Sequence, residues 1–472
     1  MTQTYSYGAM EEDTDSERRV TRHLSLSVVD IADDRPLLST RTACCERLTD
    51  KVWLVPVLYT HFFMAAGTMM NMAFYPPLAS SRGLAAWKFG FVFSAYKVGM
   101  LLGAFISERV VYKASPRAGY LGGQGGQVIC LVLFGALYWI NGAEELLAWS
   151  MIFALACNAT AVMYFASMFA VQTSVFRDKA GLLIASLEFL FGLGGLVGAV
   201  IGGALIDLWA YPLPYFAVAA MLCLSLPFMT MIRPQWKREA AMENKRKLVT
   251  SAYFKLLTNP SFLTDMITAA IPLGMMAFNE DTLEPYLRNF HLTNTQIGLV
   301  FTVQCVGYCT GSLLSGYFSI NKLETTSMFL GTTLCAISYL MIGPAPFINM
   351  EPSLGLMYLS CALMGLGGAA LFTCGYMHGL RTAILSGYPD DIRTNSVVAS
   401  IVFVNMFLSS VGTAPLAGYL TQEFGYRAAS TALSGFLFTW NVRLCSYLNY
   451  PPTPKSNVHC MFMSFLCDFI CQ

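Results

Sequence analysis

Long apolar runs separated by short polar linkers recur through this chain and restrict its fold more than any other feature. A run of about 18 or more apolar residues is long enough to cross the roughly 30 Å hydrocarbon core of a bilayer. There only α-helices and closed barrels satisfy every backbone polar group internally, and runs this continuous read as helices. Twelve runs fall at 52–76, 89–107, 118–140, 146–172, 185–208, 212–232, 262–286, 296–318, 326–344, 354–379, 396–419 and 428–448. Of the 472 residues 55% are hydrophobic and 12% charged, whereas a soluble domain carries about a quarter charged. The expected fold class is an all-α integral membrane protein with 12 transmembrane helices.

The twelve divide in two. A shift of 208 aligns Gly90, Val92, Phe93, Val98, Gly99, Gly103 and Ser107 with Gly298, Val300, Phe301, Val306, Gly307, Gly311 and Ser315, and Asn71 and Pro77 with Asn279 and Pro285. A shift of 215 pairs Gly203, Leu205 and Tyr211 with Gly418, Leu420 and Tyr426. Two helix pairs recurring at nearly one offset imply two homologous, pseudo-symmetric six-helix halves, 51–232 and 262–448. Residues 1–50 are acidic, then mixed, without apolar periodicity, and read as a disordered cytosolic tail. The linker 233–261 is the most basic stretch, with Lys237, Arg238, Lys245, Arg246 and Lys247, and 449–472 forms a C-terminal tail. Basic linkers at Arg109–Arg117 and at Arg177 and Lys179 alternate with linkers lacking Lys and Arg, which places both termini in the cytosol.

The fifth run carries Gly194, Gly198 and Gly202 on one stripe, with Gly195, Ala199 and Gly203 beside it, so that a neighbouring helix can approach closely. Glu188 lies about two turns before Gly195, and a carboxylate in such a segment is a functional candidate. Its plain alternative is a glutamate that merely reaches the headgroups. In the seventh run Glu280, Asp281 and Glu284 fall within five residues, interrupting apolar sequence before Pro285. Three carboxylates so close do not all stay ionised in a low-dielectric site, and a carboxylate that titrates near the working pH is what proton exchange requires. An acidic rim at headgroup level, near Arg288, is the structural alternative. Lys97 sits mid-way along the second run, too deep for easy snorkelling, and reads either as the partner of a buried polar group or as a contact for an anionic substrate. Asn71, Tyr308, Tyr376, His378 and Asn405 complete the polar set in runs that line or flank a central path. His378 is suited to carry a proton near neutral pH, although a lone helical histidine is more often an ordinary hydrogen-bonding residue.

Several classes find no support. The net charge of +1 points neither to nucleic acid nor to an acidic partner. No phosphate-binding loop, metal-spaced cluster or nucleophile triad is present, so the expectation is no enzyme, no cofactor and no bound metal. Most of the 14 cysteines fall inside apolar runs rather than forming a disulfide framework, while Cys44 and Cys45, just before the first run, suit palmitoylation. The expected partners are a small-molecule substrate, protons and the lipid bilayer.

The arrangement resembles the major facilitator superfamily over roughly residues 50–440. Gly194-x-x-x-Gly198-Ala199-x-x-Gly202-Gly203 is similar to the family's fifth-helix antiporter motif, with Ala199 where the family has proline. Ser186-Leu187-Glu188, Phe278-Asn279-Glu280-Asp281-Thr282-Leu283 and Ile342-Gly343-Pro344-Ala345-Pro346 resemble the vesicular amine transporters, their polyamine branch above all. The resemblance implies exchange of organic amines for protons across a vesicular or endolysosomal membrane, with the plasma membrane as the other possible address. It implies Glu280 as the proton-coupling acid and an eleventh-helix partner for Lys97, for which Asn405 is the nearest candidate here. The fourth run lacks the family's arginine; Cys157, Asn158 and Ala159 stand in that neighbourhood. The twelfth run is interrupted by Asn441-Val442-Arg443. These departures, with Lys97, keep open an exporter of drugs or organic anions and a non-transporting scaffold or sensor. Asp33-Asp34-Arg35-Pro36-Leu37-Leu38 is similar to the acidic dileucine sorting signal, which implies a sorting adaptor as partner.

Overall fold

The computed structural model describes residues 54–84, 86–231, 255–288, 290, 294–348 and 351–448. The sorting signal at Asp33, Leu37 and Leu38, Cys44 and Cys45, the core of the basic central linker and the C-terminal tail lie outside these residues. Twelve α-helices fall among them: α1 Leu54–Ser81, α2 Ala86–Lys113, α3 Pro116–Ala136, α4 Ala143–Val175, α5 Ala180–Leu208, α6 Pro212–Met231, α7 Pro260–Arg288, α8 Asn294–Ile320, α9 Glu324–Ile342, α10 Leu354–Leu385, α11 Ile392–Phe424 and α12 Tyr426–Leu448. Ten are long and apolar enough to cross a membrane. The other two, α1 and α12, are diluted by His61 and Asn71 and by Arg427, Asn441 and Arg443.

Polar residues set the helix ends. Ser115 caps α3 by accepting from Ala118 N, with Pro116 at the first helical position. Ser353 caps α10 by accepting from Leu356 N, and Asp391 caps α11 by accepting from Thr394 N at 2.7 Å. Between α11 and α12 the chain turns on Gly425 alone, at φ +79°, a conformation that admits little but glycine.

Two expectations need correction. The first helix does not end at 76 but continues through Pro76 and Pro77 to Ser81; each proline removes one backbone bond, and only the last turn of helix follows them. The twelfth helix does not break at Asn441. Asn441 Nδ2 donates to Thr333 Oγ1 of α9 at 2.7 Å, Trp440 Nε1 donates to Thr268 Oγ1 of α7 at 3.0 Å, and Arg443 stacks over Trp440. Each polar residue that threatened the helix thus has a partner.

The repeat reappears as packing. A Cβ on Gly103 would lie 2.5 Å from Ala159 O of α4, and one on Gly311 2.5 Å from Leu366 O of α10. Gly99 meets Leu155 as Gly307 meets Ala362, and Gly123 meets Thr160 as Gly331 meets Gly367. Asn71 Nδ2 donates to Cys157 Sγ at 3.4 Å, and its counterpart Asn279 Nδ2 to Met364 Sδ at 2.9 Å. Equivalent positions of α1–α4 and α7–α10 therefore use the same close approaches, so the two six-helix halves are pseudo-symmetric in contact as well as in sequence.

The glycine stripe of α5 seats α1. A Cβ on Gly194 would strike Phe62 O, one on Gly198 would lie 2.9 Å from Ala66 Cα, and one on Gly202 2.5 Å from Phe74 Cε2. The second stripe is looser: a Cβ on Gly195 would meet only the flexible side chain of Met69, Ala199 is exposed, and a Cβ on Gly203 would meet nothing within 4 Å. Across the halves, α5 packs on α8 and α10, and α11 packs on α2 and α4.

Candidate functional site

Two of the acids singled out from the sequence, Glu188 and Glu280, meet a partner from the opposite half. Glu188 of α5 is buried, and Tyr308 of α8 donates its hydroxyl to Glu188 Oε2 at 2.6 Å. It is therefore enclosed by the bundle. Eight residues past the helix start, it lies about 12 Å into the bundle. Glu280 of α7 faces Lys97 of α2, Nζ to Oε2 3.9 Å, with both side chains partly accessible at 21% and 35%. Lys97 lies about 16 Å and Glu280 about 12 Å from the same end of the bundle, so the pair spans one level.

This corrects the expected pairing of Lys97 with Asn405. Asn405 Nδ2 donates to Ile401 O of its own helix at 2.9 Å. It lines a cavity of about 240 Å³ between α7, α11 and α12, bordered by Gly274, Ser409, Thr413 and Phe436. Neither Glu188 nor Glu280 lines that cavity. The helices carrying Lys97 and Glu280 bring the two side chains together, an encounter between helices 2 and 7 that linear spacing does not disclose. The side chains of Asp281 and Glu284 lie outside the described residues.

Asn71 sits behind this level, buried against Cys157, whose Sγ donates to Gln127 Oε1 at 3.5 Å. Asn158 Nδ2 donates to Tyr96 O at 2.7 Å. Where the family has an arginine in its fourth helix, this chain thus has a neutral, internally bonded patch. Tyr376 is buried and packs on Phe169 of α4 at 5.7 Å between ring centres. Phe169 also meets Phe372 at 6.2 Å and Phe403 at 6.1 Å, so one ring from the N-terminal half plugs into three from the C-terminal half.

Beyond that plug, toward the end carrying the basic linkers, the halves stay in contact. Arg177 Nη2 donates to Asp390 O at 2.7 Å, and its Nε lies 3.3 Å from Asp390 Oδ2. Arg393 stacks over Tyr112 at 4.2 Å. Gly316 of α8 leaves a Cβ only 2.7 Å from Ala185 Cβ of α5. A small cavity of about 70 Å³ persists there among Thr173, Arg177, Ser319, Arg381 and Asp390. The bundle is closed at its basic end.

Sequence reasoning found His378 but not what holds it. Its Nδ1 is 2.8 Å from Asp265 Oδ2, and Thr382 Oγ1 donates to the same oxygen at 3.0 Å. Asp265 is one carboxylate near the start of a long apolar run, and only the α7–α10 crossing shows its partner. Alongside, Arg381 pairs with the buried Glu324 of α9 at 2.7 Å.

Two pseudo-symmetric helical halves that meet around charged and hydrogen-bonded contacts near mid-bundle define a multi-pass membrane transporter. The profile of the Major Facilitator Superfamily matches residues 57–282 and 281–459. The chain belongs to that superfamily. It is 23% identical over 395 residues to the MFS-type transporter SLC18B1 of Rattus norvegicus, covering 80% of this chain and 84% of that one. To the Mus musculus protein of the same name it is 22% identical over 396 residues, with the same coverage. Among solved structures, the human organic anion transporter MFSD10 (TETRAN) superposes with TM-score 0.62 at 14% identity, covering 84% of this chain and 99% of that one. FucP in its outward conformation gives TM-score 0.63 at 13% identity, over 84% and 99%. At these identities the structures show the fold alone.

Proposed function

We propose that this transporter exchanges protons for an organic cation, a polyamine or monoamine, across a vesicular or endolysosomal membrane. The observation that carries the reading is the Lys97–Glu280 contact between halves. At 3.9 Å the two charges are in reach without a tight bond, so an arriving ammonium group can take the place of Lys97 beside the carboxylate. Glu280 then holds either a proton or a cation, and rocking of the halves carries whichever is bound to the other side. Glu188 and Tyr308 form a second contact that the same motion makes and breaks. Arg177 with Asp390 closes the basic end; an exposed pair of this kind contributes only about 0–1 kcal/mol and can open in each cycle. The charge alternation of the linkers supports placing that end in the cytosol. The resemblance of the Glu188 and Glu280 segments to the vesicular amine group supports the substrate class and the address.

One observation favours a second reading: the Lys97 ammonium, 21% exposed, is equally a contact for an organic anion. Purified protein in proteoliposomes with an imposed pH gradient decides between them. Labelled spermidine or serotonin should accumulate, and a labelled organic anion should not. Accumulation of the anion alone would transfer the site to the second reading, and movement of none would favour a scaffold.

A further inference from the structure

The most buried acid among the described residues of α7 is not Glu280 but Asp265, on the other limb of the helix. Its side chain is 5% exposed, about 7 Å into the bundle from the basic end and about 22 Å along α7 from Glu280. It faces His378 Nδ1 at 2.8 Å and accepts from Thr382 Oγ1 at 3.0 Å. Gly379 of α10 allows the approach: a Cβ there would meet Asp265 Cβ at 3.3 Å. The charged groups around the pair are accounted for by element. On α10, Arg381 is bonded to Glu324 of α9, with Glu324 2% exposed, so these two charges neutralise each other. On α12, Arg443 stacks on Trp440, which bonds Thr268 one turn from Asp265. The turn before α7 brings Lys255, which is exposed, and α11 has no titratable residue between Arg393 and Tyr419. The imidazole is the group whose charge can change while its surroundings stay balanced, and it is 32% accessible whereas its carboxylate is sealed.

We infer that Asp265 and His378 form a second proton-binding site, on the basic-end limb of α7, loaded and emptied in alternation with Glu280. The inference rests on the proton-exchange reading above. When the Arg177–Asp390 seam opens, a proton from the aqueous phase at the basic end binds the imidazole at its accessible edge. The resulting imidazolium is held by the Asp265 carboxylate, with Nδ1–H donating to Oδ2. The proton leaves by the same edge, restoring the neutral ring, so no other reactant takes part. A histidine suits this task because its charge changes near neutral pH, where a plain structural ion pair would be built from arginine or lysine.

The test is the pH profile of amine uptake in proteoliposomes, varied on the basic-end side, for wild type, His378→Gln and His378→Arg. Arginine keeps a cation beside Asp265 but does not titrate, so it separates a structural pair from a proton switch. Both variants are expected to lose the pH dependence between about 5.5 and 7.5 and to accumulate substrate at least tenfold less. Full accumulation with the wild-type profile in His378→Arg would overturn the inference, as would an unchanged profile in His378→Gln. If neither variant folds, Thr382→Val, which leaves both charges in place, should displace the midpoint of the profile by about half a pH unit or more, and an unmoved midpoint overturns it. Absence of gradient-driven accumulation in wild type would instead remove the exchange reading itself.

Discussion

Leucine at position 198 should be among the most damaging single substitutions in the membrane-spanning region. A Cβ there would lie 2.9 Å from Ala66 Cα, 3.0 Å from Ala66 Cβ and 3.0 Å from Ala66 O. Two of those atoms are α1 backbone, so no rotamer change makes room and the helices must separate. Leucine carries three further carbons into the same seam. Overpacking typically costs about 1–3 kcal/mol, and contact with two backbone atoms of Ala66 places this substitution near 3 kcal/mol. That is roughly a hundredfold in the folded-to-unfolded ratio. Gly203, five residues on, is the matched control: a Cβ meets nothing within 4 Å, so Gly203→Leu should cost no more than about 0.5 kcal/mol. Size-exclusion profiles and thermal midpoints of detergent-solubilised fluorescent fusions compare the two. Equal behaviour of the two variants, or a wild-type profile for Gly198→Leu, would refute the assignment of the stripe to the α1 seam.

Further expectations concern the inter-half contacts, the buried ion pair and the tail. Tyr308→Phe leaves Glu188 without the donor at 2.6 Å, a bond worth about 1.5–3 kcal/mol when charge-assisted. Uptake should fall at least tenfold with a normal size-exclusion profile, and wild-type uptake would show the contact to be idle. Arg381→Ala strands Glu324, 2% exposed, as an uncompensated buried charge at about 3–5 kcal/mol. It should fold poorly, Glu324→Gln added to it should recover thermal stability, and no recovery would assign Arg381 a role outside the pair. Leu37→Ala with Leu38→Ala should move the protein to the cell surface in a biotinylation assay; unchanged vesicular localisation would discard the sorting signal.

The fold was legible because its determinants are local or periodic. Run length gave the helices, and a 208-residue offset gave the halves, whose glycines at 99, 103, 307 and 311 make matching contacts. The glycine stripe announced close packing, although only the structure assigns α1 as its neighbour. Glu188 and Glu280 were recognisable because a carboxylate in an apolar run is rare. Their partners were not, since Tyr308 and Lys97 come from the other half and neither sequence position nor periodicity fixes which helices face each other. Asn405 was favoured for Lys97 by resemblance and proved to be bonded to its own helix. Asp265 escaped notice as a single acid near a helix start, where an exposed residue is the ordinary expectation. Asn441 and Arg443 looked like breaks because their partners Thr333 and Trp440 are side chains that a linear reading does not bring near.

The central claim is that Glu280, opposite Lys97, holds a proton and a cation in turn. Glutamine keeps its size and hydrogen bonding but cannot change charge. The decisive measurement is uptake of a labelled amine by proteoliposomes containing Glu280→Gln, with only a pH difference imposed and insertion matched to wild type. We predict accumulation by wild type and none above background by the variant. Accumulation of substrate against its gradient by Glu280→Gln would contradict the claim and move the coupling role to Glu188.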